Sequence, residues 1–321
     1  MRDKARARAK PQGTLRVALL GDSFVESMQV PLEKTFGSLM EPKVAQCAGR
    51  PAEVLNFGVT GYGTAQELLT YRHRARAFDP DVVALVVFAG NDLFNNVREM
   101  NPTNADAAPY FRLGRDGGLE FVEPFAGDGK PGAASLWMRA RFRDLHGSLR
   151  LVQLGTEAYY NWQRRRGRAA DQQRITSVYG KDWMEWLAYV PPRGEAMRES
   201  WMVTQKLLVQ FRDEVQKDGR KFLLVLANNA VQVLPEDVDR RRFAEQYSLE
   251  SLDFADLRLR QVALSNGIRV LWLAEYLREV AQRERVYLHG FGAAKGSGHW
   301  NAEGHKAVAE RMATGVCGVL Q

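Results

Sequence analysis

Three apolar runs of strand length in this chain each break abruptly into a polar, turn-forming cluster. Arg16 to Leu20 ends at Gly21-Asp22-Ser23, Val54 to Phe57 runs into Gly58-Val59-Thr60-Gly61, and Val82 to Phe88 is followed by Gly90-Asn91-Asp92. A strand covered on both faces loses its polar/apolar alternation, as these runs do, and this is the mark of a buried parallel sheet. Helical stretches separate the runs, Leu32 to Gln46 and Thr64 to near Phe78. Strand, helix, strand, helix, strand argues for a parallel sheet with helices on both faces. In such a sheet all three strand ends lie on one rim, where open α/β sheets place their ligands. Gly, Asp and Ser are also ordinary turn formers, so Gly21-Asp22-Ser23 alone reads equally well as a turn.

Pro42 is expected to interrupt the first helix or to start a new turn. Thr64 with Glu67 reads as a capping box opening the second helix. From 97 to 194 the pattern changes. Tyr110 to Leu113 and Leu119 to Val122 flank Gly114-Arg115-Asp116-Gly117-Gly118 as a hairpin. Leu136 to about Arg166 reads as a long helix. This region is expected to be an insertion after the third strand, lying over the carboxyl edge of the sheet. The alternation then resumes with a helix over Glu195 to Lys217, a strand over Lys221 to Ala227 and a charged segment, Glu236 to Arg242. After it come a helix from about Asp253 to Ser265, a strand over Ile268 to Leu273, a helix to about Arg285 and a last helix from Ala302 to about Val316. Residues 1–13 form a basic tail, and 14–321 read as a single domain.

Composition narrows the function classes. At 321 residues with 45% apolar and 26% charged content, the chain is an ordinary globular one. No apolar run approaches the roughly 18 residues of a membrane span. The net charge of +7 gathers at Arg164-Arg165-Arg166 and Arg240-Arg241-Arg242. Such runs more often form a solvated helix face than a polymer-binding patch, and no zinc-finger or RNA-binding signature supports nucleic acid. The two cysteines, Cys47 and Cys317, make no CxxC, and no His, Asp and Glu cluster has metal-ligand spacing, so neither metal nor cofactor is expected. The charged start, Met1 to Arg8, lacks an apolar signal region, which suggests a cytoplasmic protein or a chain without its leader.

A fourth polar cluster, Gly298-His299-Trp300-Asn301-Ala302-Glu303-Gly304-His305, precedes the last helix. One rim then holds a hydroxyl, an imidazole, a side-chain amide and exposed backbone N–H groups. Acyl transfer needs that set. Ser23 Oγ is a weak nucleophile until a base takes its proton, and His299 is a suitable base. The tetrahedral intermediate needs preorganised donors, which the N–H groups of Ser23 and Gly61 and the amide of Asn91 can supply. His305 reads as structural, Asp92 as a partner of the Asn91 turn, and His289 stays unassigned. His299 could equally cap the last helix.

These four blocks, in order and spacing, resemble the SGNH (GDSL-type) hydrolase superfamily. The resemblance implies a flavodoxin-like three-layer α/β/α sandwich with a five-stranded parallel sheet of order 2-1-3-4-5. It also implies ester hydrolysis by Ser23 and His299, with Ser23, Gly61 and Asn91 as the oxyanion hole. Asp22, Phe24, Tyr62 and Trp300 are candidate pocket residues, Asp22 chiefly as a fixer of its loop. The G-x-S-x-G elbow of α/β-hydrolases is absent. One departure stands out: the family places an Asp two or three residues before its catalytic His, where this chain has Ser297 and Gly296. In a sheet of that order the first and last helices are neighbours pointing the same way, so a Cys47–Cys317 disulfide is expected. The bridge would favour an extracytoplasmic location; without it the expectation is cytoplasmic. The substrate expected from the superfamily is an O-acyl ester, first an acetyl group on a small molecule or carbohydrate. An O-acyltransferase on a polysaccharide and a catalytically weak carbohydrate-binding relative are the alternatives.

Overall fold

The structure, a computed structural model, describes residues 2–100, 108–123 and 188–321. In chain order these form β1 (Leu15–Leu20), a short α1 (Ser23–Glu26), α2 (Phe36–Ala48), β2 (Ala52–Asn56), α3 (Thr64–His73), β3 (Val82–Phe88) and a short α4 (Asp92–Asn95). There follow β4 (Tyr110–Leu113), β5 (Leu119–Val122), α5 (Glu195–Lys217), β6 (Lys221–Ala227), α6 (Asp237–Gln246), α7 (Phe254–Ser265), β7 (Val270–Trp272), α8 (Leu273–Glu284) and α9 (Ala302–Leu320). The main sheet has the order β2-β1-β3-β6-β7 and every pairing in it is parallel. Counting its strands alone, that is the expected 2-1-3-4-5. The hairpin is also present, with Tyr110 opposite Val122 and Leu113 opposite Leu119. The expected helix from Leu136 to Arg166 and the run Arg164 to Arg166 lie outside the described residues, as does most of 97–194.

The two-residue period of the strands splits the core. Leu20, Leu55, Leu85 and Leu224 face one side, under Leu68 and Tyr71 of α3, Trp201 and Phe211 of α5 and Leu259 of α7. Val17, Leu19, Val86 and Val225 face the other, under Met40 and Val44 of α2, Leu277 of α8 and Val308, Met312 and Val316 of α9. With both faces covered, β1, β3 and β6 have no polar face to show.

Three local expectations are corrected. Pro42 sits inside α2 without ending it. It removes one bond to the Ser38 carbonyl. Burial of Phe36, Met40 and Val44, the Thr35 side-chain cap on Ser38 N–H and the left-handed Gly49 close outweigh that loss. At the start of α3, the residue before the helix is Gly63, whose N–H donates to Gln66 Oε1 at 2.8 Å. Thr64 and Glu67 are instead buried in the helix. The expected charged lead-in at Glu236 to Arg242 is largely α6. There Arg240 and Arg241 pair with Asp237 at 2.9 and 3.1 Å, and Arg242 with Asp239 at 3.4 Å. These are pairs within one helix, at i, i+3 and i, i+4.

The tail packs on the domain through Arg16, the one fully buried arginine among the described residues. Its guanidinium donates to Glu53 at 2.7 Å, to the Phe78 carbonyl at 2.8 Å and to the carbonyls of Ala7 and Arg8 at 2.7 and 2.8 Å. Asp3 accepts from Asn56 N–H at 3.1 Å and Glu41 from Val54 N–H at 3.0 Å. Both N–H groups belong to the edge strand β2, and carboxylates across an open edge block further strand pairing. Cys47 near the end of α2 and Cys317 in α9 are joined in a disulfide, with Cα atoms 6.2 Å apart.

Candidate active site

The carboxyl ends of the parallel strands meet as a rim, and side-chain bonds tie one end to the next. Asp22 caps α1: its Oδ1 accepts from Phe24 N–H at 2.8 Å, while its Oδ2 accepts from Asn91 Nδ2 at 2.8 Å. The β1 and β3 ends are thereby joined. Asn56 at the end of β2 donates to the Val25 carbonyl at 2.7 Å and accepts from Gly58 N–H at 2.9 Å. Glu26 accepts from Thr60 N–H at 2.9 Å. The loop after β2 is therefore fastened to the helix that begins with Ser23. Within it Tyr62 N–H bonds to the Val59 carbonyl at 3.1 Å, closing a turn whose third residue is Gly61, with φ +81°. A side chain is strained in that conformation, and glycine leaves its N–H open to approach.

His299 Nε2 lies 2.8 Å from Ser23 Oγ, although 276 residues separate the two in sequence. The next partner of the hydroxyl, Asp22 Oδ2, is farther at 3.4 Å. Burial pushes the His299 pKa down, partly offset by the charge of Asp22. The ring is then neutral near pH 7 and able to accept a proton. Its face rests against Phe24, with ring centroids 4.9 Å apart. Among the described residues no carboxylate hydrogen-bonds to this imidazole. The family's upstream Asp is thus not replaced by an acid from another described element.

Beneath the serine lie three buried carboxyl groups, Asp22, Glu67 and Asp92. Burial raises all three pKa values, Glu67 and Asp92 far above the usual carboxylate range, with mutual repulsion adding to the shift. The hydrogen bonds say which one carries charge. Asp22 has two donors, Phe24 N–H and the Asn91 amide; Asp92 accepts from Phe88 N–H at 2.8 Å; among the described residues neither oxygen of Glu67 has a partner. Glu67 and Asp92 are accordingly neutral and Asp22 is the anion.

Of the other expected site residues, Asn91 stands beside the nucleophile turn with one amide hydrogen on Asp22 and the second free of Asp22. Tyr62 is half-buried at the rim, and Gly61 is exposed. Phe24 and Trp300 belong to the core, their rings 4.6 Å apart, and so buttress the histidine from behind. His305 is buried against Phe36, as its structural reading requires.

Two residues that sequence reasoning left out stand behind His299. His289 Nδ1 is 2.6 Å from the Gly298 carbonyl, and its Nε2 is 2.9 Å from Asn228 Nδ2. The signal was there for Asn228: β6, like the three strands before it, ends in a polar pair, Asn228-Asn229. His289 carried none, because its side-chain partner Asn228 is 61 residues away at a strand end and its other partner is a backbone carbonyl, which no residue type marks.

Residues 17–112 match the family model described as GDSL-like Lipase/Acylhydrolase. No curated protein matches the chain. Among solved structures, the chain is similar to LAE5, an alpha/beta hydrolase enzyme from the metagenome of Lake Arreo, Spain, at 12% identity, 96% coverage of both chains and a TM-score of 0.48. It is also similar to the acetyl xylan esterase AlAXEase, at 13% identity, 94% and 100% coverage and a TM-score of 0.44. A third is Axe2, an acetylxylan esterase from Geobacillus stearothermophilus, at 10% identity, 94% coverage of both chains and a TM-score of 0.44.

Proposed function

We propose that this chain, whose residues 17–112 match the GDSL-like Lipase/Acylhydrolase model, hydrolyses carboxylic esters through Ser23 and His299. The observation that carries the reading is the 2.8 Å contact between Ser23 Oγ and His299 Nε2. In this mechanism Ser23 Oγ attacks the acyl carbonyl as its proton passes to Nε2. The oxyanion is held by the N–H groups of Ser23 and Gly61 and by the free amide hydrogen of Asn91. The imidazolium returns the proton to the departing alkoxide. Water, deprotonated by the same ring, then releases the acid and frees Ser23. Asp22 contributes twice, by capping α1 and by placing a negative charge near the imidazolium.

The substrate in this reading is an O-acyl ester of a small molecule or carbohydrate, with acetyl the first acyl group to try. The test is hydrolysis of p-nitrophenyl acetate, butyrate and octanoate by the wild type, Ser23→Ala and His299→Ala, with fluorophosphonate labelling alongside. Activity and labelling that vanish in Ser23→Ala support the nucleophile, and the order of the three esters sizes the acyl pocket. Turnover unchanged in both variants refutes the assignment.

A further inference from the structure

We infer that His289 and Asn228 are positioning residues for His299, a neutral backbone clamp standing where an acid would otherwise orient the ring. The inference rests on the Ser23–His299 reading above and deepens it.

The hydrogen-bond pattern leaves one proton arrangement. Asn228 Oδ1 accepts from Trp300 Nε1 at 3.3 Å, which makes Nδ2 the atom that faces Asn229 and His289. Nδ2 donates to the Asn229 carbonyl at 3.0 Å and to His289 Nε2 at 2.9 Å. Reversing the amide would set two acceptors face to face at Asn229 and two donors at Trp300. His289 Nε2 must therefore accept, and the ring proton sits on Nδ1, where it donates to the Gly298 carbonyl at 2.6 Å. Burial pushes the His289 pKa down to about 4, so the ring stays neutral and keeps one donor and one acceptor.

The bonded carbonyl belongs to the residue immediately before His299. The next carbonyl, that of His299 itself, accepts from Gly290 N–H at 2.9 Å, and Asn301 N–H donates to Leu288 at 3.0 Å. Residues 298–301 are thus zipped onto 288–290, and the zip is anchored to the end of β6 through Asn228. With Phe24 against the ring face, the loop fixes the direction of Nε2 with no partner on the far nitrogen among the described residues. In a Ser–His–Asp arrangement the acid both orients the ring and stabilises its charge. The clamp does the first and leaves the second to Asp22.

The experiment compares wild type, His289→Phe, His289→Asn and His289→Gln in p-nitrophenyl acetate hydrolysis, with melting curves, and reads the wild-type imidazole nitrogens by 15N NMR. An Asn amide nitrogen falls near the place of Nδ1, whereas a Gln amide reaches the place of Nε2. Expected are a fall in kcat of about tenfold or more in His289→Phe and His289→Gln at nearly constant KM, and substantial recovery in His289→Asn. The wild-type His289 should show the Nδ1–H tautomer from about pH 5 to 8. If His289→Phe does not fold, the Asn and Gln variants decide: equal kcat in the two overturns the inference. A kcat within about twofold of wild type in folded His289→Phe, or an Nε2–H tautomer, overturns it as well. Loss of the esterase reading is distinguishable, because then Ser23→Ala and His299→Ala would retain wild-type turnover.

Discussion

Asp256 in α7 offers a quantitative test of the network behind the rim. Its carboxyl is buried, and its Oδ2 takes two donors, Gln232 Nε2 at 2.8 Å and Trp272 Nε1 at 3.1 Å. Gln232 in turn accepts from Asn229 N–H at 2.6 Å, so this network abuts the clamp residue Asn228. Burial raises the Asp256 pKa from 3.8 to about 7, against the pull of its two donors. The folded state therefore binds this proton more tightly than the unfolded state. The sign follows: the contribution is fully present below the unfolded value of 3.8 and is lost as pH rises to about 7, because the unfolded chain ionises freely while the folded one pays to do so. At about 1.4 kcal/mol per pKa unit, the full loss is about 4 kcal/mol, and the part falling between pH 5 and 8 is about 2–3 kcal/mol. Asp256→Asn keeps an oxygen for both donors and removes the titration. Guanidinium unfolding of both proteins at pH 5, 6.5 and 8 should show the variant gaining on the wild type by that amount. A stability difference that stays flat across this range, or a wild type that gains on the variant as pH rises, would refute the reasoning.

Asn91→Ala should lower kcat for p-nitrophenyl acetate by about 10²–10³, since it removes one oxyanion donor, and should lower the melting temperature as well, since buried Asp22 loses a hydrogen bond; a kcat within about threefold of wild type counts against the oxyanion role. The Cys47–Cys317 bridge closes a loop of 270 residues, for which chain entropy sets an upper stabilisation of about 5–6 kcal/mol. Cys47→Ser, or reductant, should lower the guanidinium midpoint markedly while the folded protein keeps its kcat. Gly290→Ala should cost both stability and kcat: φ there is +79°, and a Cβ would lie 1.9 Å from the Ala294 carbonyl oxygen. Circular dichroism melts and ester hydrolysis check it, and a variant equal to wild type in both would contradict the zipped loop.

Much of the architecture was legible in the sequence because it is written in local rules. The unbroken apolar runs of β1, β3 and β6 mark buried parallel strands, and the Gly-Asp-Ser and Gly-Asn-Asp breaks mark their ends. Once the sheet is parallel, right-handed crossovers bring those ends to one rim whatever the sequence distance. Ser23 and Asn91 could therefore be placed together from the chain alone; His299, which follows no strand, joined them through the chemistry of its cluster and the resemblance, and Cys47 faced Cys317 in the strand order that the resemblance implied.

What the sequence misread or left blank concerns partners. Thr64 and Glu67 have the spacing of a capping box, but Glu67 is needed inside, and Gln66 makes the bond to Gly63. Pro42 has the local signature of a helix break, yet three buried side chains of α2 hold the helix through it. Trp300 and Phe24 flank the reactive residues in sequence and lie in the core behind them. His289 and Asn228 are 61 residues apart and carry no shared pattern. Strand, helix and turn propensities depend on neighbours a few residues away, so a sequence displays them directly. The state of a buried carboxyl or imidazole depends on which donors long-range packing brings within about 3 Å, and only the folded chain determines that.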